Sequence, residues 1–269
     1  MRTIAHLSDL HFGRSDPALV DPLIRTIHEL DPTLIAVSGD LTQRARSVQF
    51  KEARAFLDAL PQPKIVVPGN HDIPLYNLYH RFLGPLDKYR RYITEDLQPA
   101  YADGEMIVIG VSTARSLVIK GGRINQDQLE RVKEKFCALP DEAVKILVTH
   151  HPFDLPSGYD DRDLVGRAKM AMTGLAECGA DVFLAGHLHV SHTRSTAQRY
   201  QIRGHSALVI QAGTTISTRG RGEANSFNLI RLEHPHITVE RLSWDADGRS
   251  FRKLSEEHFR HSAEGWARV

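Results

Sequence analysis

Five short clusters of histidine, aspartate and asparagine, each directly after an apolar run, most constrain what this chain can fold into. The clusters are Asp9-Leu10-His11, Gly39-Asp40, Gly69-Asn70-His71-Asp72, His150-His151-Pro152 and Gly186-His187-Leu188-His189. The apolar runs before them are short and rich in branched residues, which is typical of buried β-strands. Residue types that bind metals therefore recur at predicted strand ends, and the fold has to bring those ends together.

The segments around these clusters predict an α/β domain with short connections. The early part predicts strands at 3–7, 33–37 and 64–67 and helices at 17–30 and 48–60; the later part predicts a helix at 126–139 after an N-cap at Asn125, and mostly β-strands beyond 190. Alternation of this kind is typical of sheets covered by crossover helices. The expected fold is a four-layer sandwich, with two central mixed β-sheets flanked by helices, formed by residues 1–244 and followed by a polar C-terminal tail at 245–269.

Composition limits the partners and the location. The 269 residues carry 34 Lys and Arg against 33 Asp and Glu, a net charge of +1, so no nucleic acid or membrane partner is expected. The two cysteines, Cys137 and Cys178, are not in a C-x-x-C motif, so a disulfide is not expected and a reducing cytoplasm fits. The first residues enter a strand pattern without a signal segment.

Seven side chains in these clusters are candidate metal ligands. They are Asp9, His11, Asp40, Asn70, His150, His187 and His189. Their mixture of imidazole, carboxylate and amide oxygen suits Mn, Fe or Zn better than Mg or Ca. Seven ligands are too many for one tetrahedral ion but suit two divalent ions ~3.5–4 Å apart, which clamp the attacking and leaving oxygens of an in-line displacement at phosphorus. With an attacking hydroxide and the two aspartates, such a site carries a charge of about +1, which favours an anionic phosphate ester.

In their order and spacing, the five clusters resemble the signature blocks of the calcineurin-like metallophosphoesterase superfamily, which read D-x-H, G-D, G-N-H-[DE], H and G-H-x-H. The resemblance covers about the first 190 residues. Within the superfamily, the segment from His6 to His11 and the Gly-Asn-His-Asp block are most similar to the corresponding segments of the class III cyclic-nucleotide phosphodiesterases. The family fold is the two-sheet sandwich expected above.

The resemblance implies a role for each candidate residue. Asp9, His11 and His189 would bind the first metal, Asp40 would bridge, Asn70, His150 and His187 would bind the second metal, and His71 would be the catalytic residue that protonates the leaving oxygen. This chain departs from the family three residues after Asp40, where an acidic residue or Asn often stands near the catalytic histidine. Here the position is Gln43, so either Gln43 or Asp72 is expected to orient His71.

The expected function is metal-dependent hydrolysis of a small phosphodiester, with 3′,5′-cyclic AMP as the first candidate substrate. Alternatives are a 2′,3′-cyclic nucleotide, a glycerophosphodiester or a phosphomonoester, and, in another class, an inactive scaffold that only binds. A base could stack on one of several aromatic residues: Tyr76, Tyr79, Phe82, Phe153 and Tyr159. A predicted hairpin, Phe227–Ile230 against Ile237–Glu240, would offer an edge to a second chain and so form a homodimer.

Several residues outside the clusters leave more than one interpretation open. His6 lies inside a predicted strand and is expected in the core, whereas His151 is expected either behind the metal ligands, in contact with them, or at the lip of the site. The turn after the strand that ends at Gln211 would either present N–H groups to a phosphate or be an ordinary turn. Arg219 and Arg221 would either meet an anionic substrate or be solvated.

Overall fold

The computed structural model describes residues 1–118, 121–220 and 222–269, and Arg221 lies outside this range. The strands are β1 (Arg2–Leu7), β2 (Leu34–Val37), β3 (Lys64–Val66), β4 (Ala100–Ala102), β5 (Met106–Gly110), β6 (Val144–Val148), β7 (Val182–Ala185), β8 (His192–Ser195), β9 (Leu208–Gln211), β10 (Ser226–Glu233), β11 (His236–Asp245), β12 (Ser250–Ser262) and β13 (Gly265–Arg268). The α-helices are α1 (Pro17–Leu30), α2 (Ser47–Ala59), α3 (Leu78–Leu83), α4 (Asp87–Tyr92), α5 (Gln126–Cys137), α6 (Ala168–Ala176) and α7 (Ala197–Tyr200).

The strands form two mixed sheets. The first has the order β13-β12-β11-β10-β1-β2-β3, and the second has the order β4-β5-β6-β7-β9-β8. β1, β2 and β3 run parallel in the first sheet, as do β5, β6, β7 and β9 in the second. Parallel strands joined by crossover helices place their carboxyl ends on one edge of a sheet, where ligand sites form.

Alternating residues of each strand separate the layers. Ile4 and Leu34 belong to the apolar core between the two sheets, whereas their neighbours Ala5 and Ile35 pack with α1 and α2. A third core joins the outer face of the second sheet to α5 and α6. Because both faces of the central strands are buried, these strands are largely apolar, with exceptions such as His6 in β1 and Lys145 in β6. The predicted four-layer sandwich is confirmed.

Helix ends follow local side-chain chemistry. The Asp16 carboxylate accepts a hydrogen bond from the N–H of Ala18 at 3.0 Å, and Pro17 occupies the first turn of α1. The expected N-cap of α5 is confirmed, because the Asn125 side chain accepts a hydrogen bond from the N–H of Gln128 at 2.8 Å. In return, the side-chain oxygen of Gln128 accepts from the N–H of Asn125 at 3.0 Å. Such reciprocal bonds satisfy N–H groups that lack partners at a helix start.

The predicted late hairpin forms as β10 and β11, but it lies inside the first sheet. β10 pairs with β1 on its other side, and β11 pairs with β12. Both strands therefore have a neighbour on each side, so the prediction that this hairpin offers an edge to a second chain is wrong. The physical reason is that the chain beyond residue 245 supplies the missing neighbour.

The sequence predicts a polar tail at 245–269, whereas the structure has two strands there. β12 and β13 extend the first sheet, and Phe251, Phe259 and Trp266 are buried at 6%, 3% and 1% exposure. The indole N–H of Trp266 donates to Asp181 Oδ1 at 2.7 Å, which ties the first sheet to the start of β7 in the second. Backbone pairing with β11 and three buried aromatic side chains together attach this segment.

The structure also contains a disulfide between Cys137, at the end of α5, and Cys178, just after α6. The expectation that these cysteines stay unpaired is wrong, because α5 and α6 pack side by side and their C-terminal ends bring residues that are 41 positions apart to a Cα separation of 4.7 Å. The cysteines therefore no longer support the expected cytoplasmic location. Within the residues that the structure describes, the α-helices are all too short or too polar to cross a membrane.

Replacing Trp266 with alanine should lower the free energy of unfolding by ~3–5 kcal/mol, because it removes a buried indole and leaves Asp181 without its donor. Arg268→Ala, on the same strand but exposed, is the matched control and should cost at most ~1 kcal/mol. Urea denaturation at a fixed metal content measures both. A loss below about 1 kcal/mol in Trp266→Ala would show that this strand does not stabilise the domain.

Candidate metal centre

All seven candidate ligands lie at the carboxyl ends of strands from both sheets. Asp9 and His11 follow β1, Asp40 follows β2 and Asn70 follows β3, whereas His150 follows β6 and His187 and His189 follow β7. The backbone N–H of His11 donates to the carbonyl of Asp40 at 2.9 Å, which extends the pairing of β1 and β2 into the loops. The candidate site therefore spans the seam between the sheets.

The backbone at this seam is unusual. Asp9, His11, Asp40, His187 and His189 have φ between 46° and 75°. Residues with a Cβ rarely adopt this left-handed region, and such strain concentrates at functional sites. The conformation turns each side chain away from its strand direction and toward the seam.

Two glycines permit the close approach of the loops. A Cβ on Gly186 would lie 1.7 Å from Ser8 Oγ, and one on Gly69 would lie 2.2 Å from Asp40 Oδ1. Any side chain at either position would displace a candidate ligand or the residue that holds it. The glycine before each of these clusters is thus explained by crowding.

The first donor group consists of Asp9, His11 and His189. Asp9 Oδ1 lies 3.5 Å from His11 Nε2 and 3.4 Å from His189 Nε2. Asp9 Oδ1 and His11 Nε2 are buried without a hydrogen-bond partner, although buried polar atoms are normally paired. Their donor atoms point at a common position, which fits a divalent cation with nitrogen and oxygen ligands.

The second donor group consists of Asn70, His150 and His187. His150 Nε2 lies 3.1 Å from Asn70 Oδ1 and 3.3 Å from His187 Nδ1. His151 lies beside this group, with a ring nitrogen within 4.8 Å of those of His150 and His187 and with Nδ1 2.8 Å from Thr113 Oγ1. The convergence of two ring nitrogens and one amide oxygen again fits a cation.

Asp40 lies between the two groups. Its Oδ2 is 3.6 Å from His11 Nε2 in the first group and 3.4 Å from His150 Nε2 in the second. Its Oδ1 accepts the backbone N–H of His71 at 2.8 Å, which fixes the carboxylate plane. One carboxylate oxygen is therefore directed at both donor groups at once.

Hydrogen bonds to the far side of three candidate ligands, His150, His189 and Asp9, hold their orientation. His150 Nδ1 donates to the carbonyl of Ser38 at 2.8 Å, and His189 Nδ1 lies 2.7 Å from Thr214 Oγ1. Asp9 Oδ2 accepts from Ser8 Oγ at 2.7 Å and from the N–H of His187 at 3.0 Å. Outer partners of this kind fix the ring orientation of metal-binding residues. Ser8 and Ser38 carry no sequence signal for this role.

The electrostatics of the cluster attract positive charge. Burial alone would lower the pKa of His150, but the Asp40 carboxylate and the hydrogen bond to it raise that pKa to about 9. Burial would raise the pKa of Asp40, yet His150 and His11 hold it well below its usual range. Burial lowers the pKa of His187 to about 3 and leaves its imidazole neutral, as a metal ligand must be.

His71 lies beside the donor groups without joining them. Its Nδ1 donates to the backbone carbonyl of Gln43 at 2.9 Å, so Nε2 is free to accept, and Arg219 Nη1 lies 2.9 Å from it. The orienting group is thus the main chain of Gln43 and not its side chain. Asp72 instead accepts from the N–H groups of Gly69, at 2.9 Å, and Thr42, at 2.8 Å, and so connects the loops.

Other residues singled out in the sequence lie as follows. His6 is fully buried with Nε2 2.9 Å from Ser38 Oγ, which fits the expected core position. The turn after β9 contributes the Thr214 hydroxyl to His189. Phe153 is fully buried and therefore offers no face to a base, whereas Tyr76 and Tyr79 are 77% and 70% exposed.

A cleft of about 220 Å³ opens beside His71. Its polar lining consists of Gln43, Arg44, Asn70, His71, Arg81 and Arg219. Sequence reasoning left Arg219 open between substrate contact and solvent, and its guanidinium in fact contacts His71. The donor groups therefore border a cationic cleft.

Comparisons with known proteins agree with this architecture. Residues 2–191 match the model of the calcineurin-like phosphoesterases. A probable cyclic nucleotide phosphodiesterase of Synechococcus sp. is 24% identical over 188 residues, which cover 65% of this chain and 64% of that protein. A glycerophosphodiester phosphodiesterase of Enterobacter lignolyticus is 31% identical over 80 residues, 26% of this chain and 29% of that protein. The chain spans less than two thirds of the length of these relatives.

A solved structure shares the fold at low sequence identity. A dimetal phosphatase from Danio rerio superimposes with a TM-score of 0.67 and 13% identity over 94% of this chain and 98% of the other. At this identity the similarity extends to the fold alone, and it covers both sheets.

Elemental analysis should find about two divalent ions per chain. Asp40→Ala should lose most of both, because it removes the oxygen directed at both donor groups, whereas His11→Ala should lose mainly one. His236→Ala, an exposed histidine on β11, is the control and should keep wild-type content. A single tightly bound ion in the wild type, or equal losses in the two site variants, would contradict a shared Asp40.

Proposed function

Because the chain belongs to the calcineurin-like phosphoesterase family, we propose that it is a hydrolase acting on phosphoric esters through a dinuclear metal centre. Asp9, His11 and His189 would hold one ion, and Asn70, His150 and His187 the other, with Asp40 between them. The observation that carries this proposal is the single Asp40 oxygen, 3.6 Å and 3.4 Å from a ring nitrogen of each donor group. Mn or Fe is the first choice for the ions, with Zn as the alternative.

The bound ions would supply Lewis-acid stabilisation of the charge that develops on the phosphate. The chain's own residues do the rest. Asp9 and Asp40 give the site negative charge to hold the ions, and the seam excludes water, since both carboxylates are at most 1% exposed. Low solvent access strengthens every electrostatic interaction there.

His71 is the proposed general acid. The carbonyl of Gln43 fixes its ring through Nδ1, and Nε2 is directed toward the cleft and Arg219. Burial lowers the pKa of this imidazole, so it gives up a proton readily once it carries one. To protonate a leaving oxygen, Nε2 must exchange its contact with Arg219 for that oxygen.

His71→Ala should keep the metal content of the wild type and lose turnover by ~10²–10⁴-fold on alkyl esters, which is the usual contribution of general acid catalysis. The loss should be much smaller on p-nitrophenyl esters, because that leaving group needs no proton. The control is His28→Ala, an exposed histidine of α1. Steady-state kinetics on alkyl and p-nitrophenyl esters tests this prediction. An equal loss of turnover on the two ester types would argue against the acid role.

A small phosphodiester is the proposed substrate class, with 3′,5′-cyclic AMP first. Two matched relatives are named for cyclic nucleotide and glycerophosphodiester substrates, which supports diesters over monoesters. The cleft beside His71 is small, and the exposed rings of Tyr76 and Tyr79 lie on the segment that follows its lining residue Ile73. One stacking contact contributes only ~1–3 kcal/mol, so discrimination among diesters should be modest.

Metal-loaded protein should hydrolyse bis-p-nitrophenyl phosphate, 3′,5′-cyclic AMP and 2′,3′-cyclic AMP, and simple monoesters more slowly. Mn or Fe should support higher rates than Mg, because the donor set is rich in imidazole. Product release measured with one metal across the panel tests this. Monoester turnover well above every diester would make the protein a phosphatase, and no turnover at full metal content would make it a binding scaffold.

A further inference from the structure

The cleft beside His71 has an unusual polar lining. Three arginines, Arg44, Arg81 and Arg219, contribute to it, and no aspartate or glutamate is among the described residues that line it. Among the described residues, none of the three forms a salt bridge with a carboxylate, although many surface arginines of this chain do. Guanidinium groups that gather without acidic partners are a common basis for binding phosphate.

Arg219 is held against the imidazole of the proposed general acid. Its Nη1 is 2.9 Å from His71 Nε2 and 3.5 Å from Gln43 Oε1. The preceding residue, Thr218, anchors the loop because its N–H and hydroxyl both donate to the carbonyl of Arg14, at 2.9 Å and 3.0 Å. The guanidinium is thus adjacent to the ring atom proposed to meet the leaving oxygen.

The other two arginines lie on different segments. Arg44 follows Gln43 and lies over the ring of Tyr76, 5.6 Å from its centroid. Arg81, on α3, is 6% exposed and donates to the carbonyls of Pro74 at 3.2 Å and Val118 at 2.9 Å. Burying a charge is costly unless it is paired, and two neutral carbonyls compensate an arginine only in part.

A compact diester cannot balance this charge. Such a substrate carries one negative charge, and two divalent ions held by Asp9 and Asp40 would already balance it. The three arginines add further positive charge on the leaving-group side only. We propose that Arg44, Arg81 and Arg219 determine specificity by binding a second phosphate group, carried by the leaving group of the substrate.

The inference rests on the proposed hydrolytic activity and changes the order of its substrates, because it places substrates with a second phosphate above cyclic AMP. The second phosphate has two chemical sources: a phosphoanhydride, in which it is bonded to the leaving oxygen, and a phosphorylated alcohol, in which it is more distant. In either, water forms the new P–O bond, the P–O bond to the leaving oxygen breaks, and a proton from water completes the products. Cyclic AMP has no second phosphate and should be hydrolysed less efficiently than either.

Three substrates built from two adenosines make a matched series. The dinucleotide ApA has a single diester, pApA has a further 5′-phosphate on the nucleoside that leaves through its 3′-oxygen, and P1,P2-diadenosine diphosphate is the phosphoanhydride. Metal-loaded wild-type protein should prefer at least one phosphate-bearing substrate over ApA by ~10-fold or more in kcat/KM, as expected for charge-assisted hydrogen bonds. No preference over ApA would overturn the inference while leaving the hydrolase intact.

Variants assign the preference to residues. Arg219→Gln should lower the preference for the anhydride over ApA, measured as the ratio of kcat/KM, by ~10–100-fold, because Arg219 is next to His71 Nε2. Arg44→Gln should instead lower mainly the preference for pApA over ApA. Arg219→Lys should restore part of the loss. Arg260→Gln, an exposed arginine on β12, removes the same charge far from the cleft and should leave the ratio unchanged. An equal fall on all three substrates would make Arg219 a positioning residue for His71 and overturn its proposed role.

A binding measurement separates this inference from the proposed function. Titration calorimetry with metal-free protein should show 5′-AMP binding more tightly than adenosine, and Arg219→Gln should remove most of that difference. If no phosphoric ester is hydrolysed at full metal content but this difference is seen, the hydrolase proposal fails and the phosphate site stands. If 5′-AMP and adenosine bind alike, or the difference survives in Arg219→Gln, the arginine cleft is not a phosphate site.

Discussion

The Asp40 carboxylate is the group on which the rest of the site depends. It is almost fully buried, and its two oxygens make different contacts. One accepts a hydrogen bond from the N–H of His71, and the other is directed at a histidine of each donor group. A buried carboxylate is costly unless opposite charge compensates it. The surrounding imidazoles, and the cations that the donor sets fit, supply this compensation, so charge balance and the position of His71 are set by one residue.

The two-sheet fold makes this arrangement possible. One sheet delivers Asp40 and its neighbours after parallel strands, and the other delivers His150 and His187. Neither sheet alone contains both donor groups, because Asp9 comes from the first and His189 from the second. The apolar core between the sheets therefore has a chemical role: it fixes the distance between two halves of one site.

Much of the fold and of the candidate site could be predicted because polar residues directly after apolar runs are a local signal. The rest depends on contacts that leave no local signal. Gln43 orients His71 through its backbone carbonyl, which any residue would offer. Arg219 approaches His71 only because the loop beyond β9 folds back over the seam. Residues 250–268 have few apolar side chains, and pairing with β11 made them strands.

The pairing of β1 with β10 has a consequence for how the protein is made. The first strand of the chain has β2 on one side, but its other neighbour is more than 200 residues later. Contacts of such sequence separation slow folding, because a long loop must close before they form. During synthesis the early clusters therefore emerge well before Thr214, which holds His189, and before the strand that completes their sheet. Until β10 is made, the donor atoms of these early clusters lie in an unfinished sheet, and any metal captured then binds before the site has taken its final geometry.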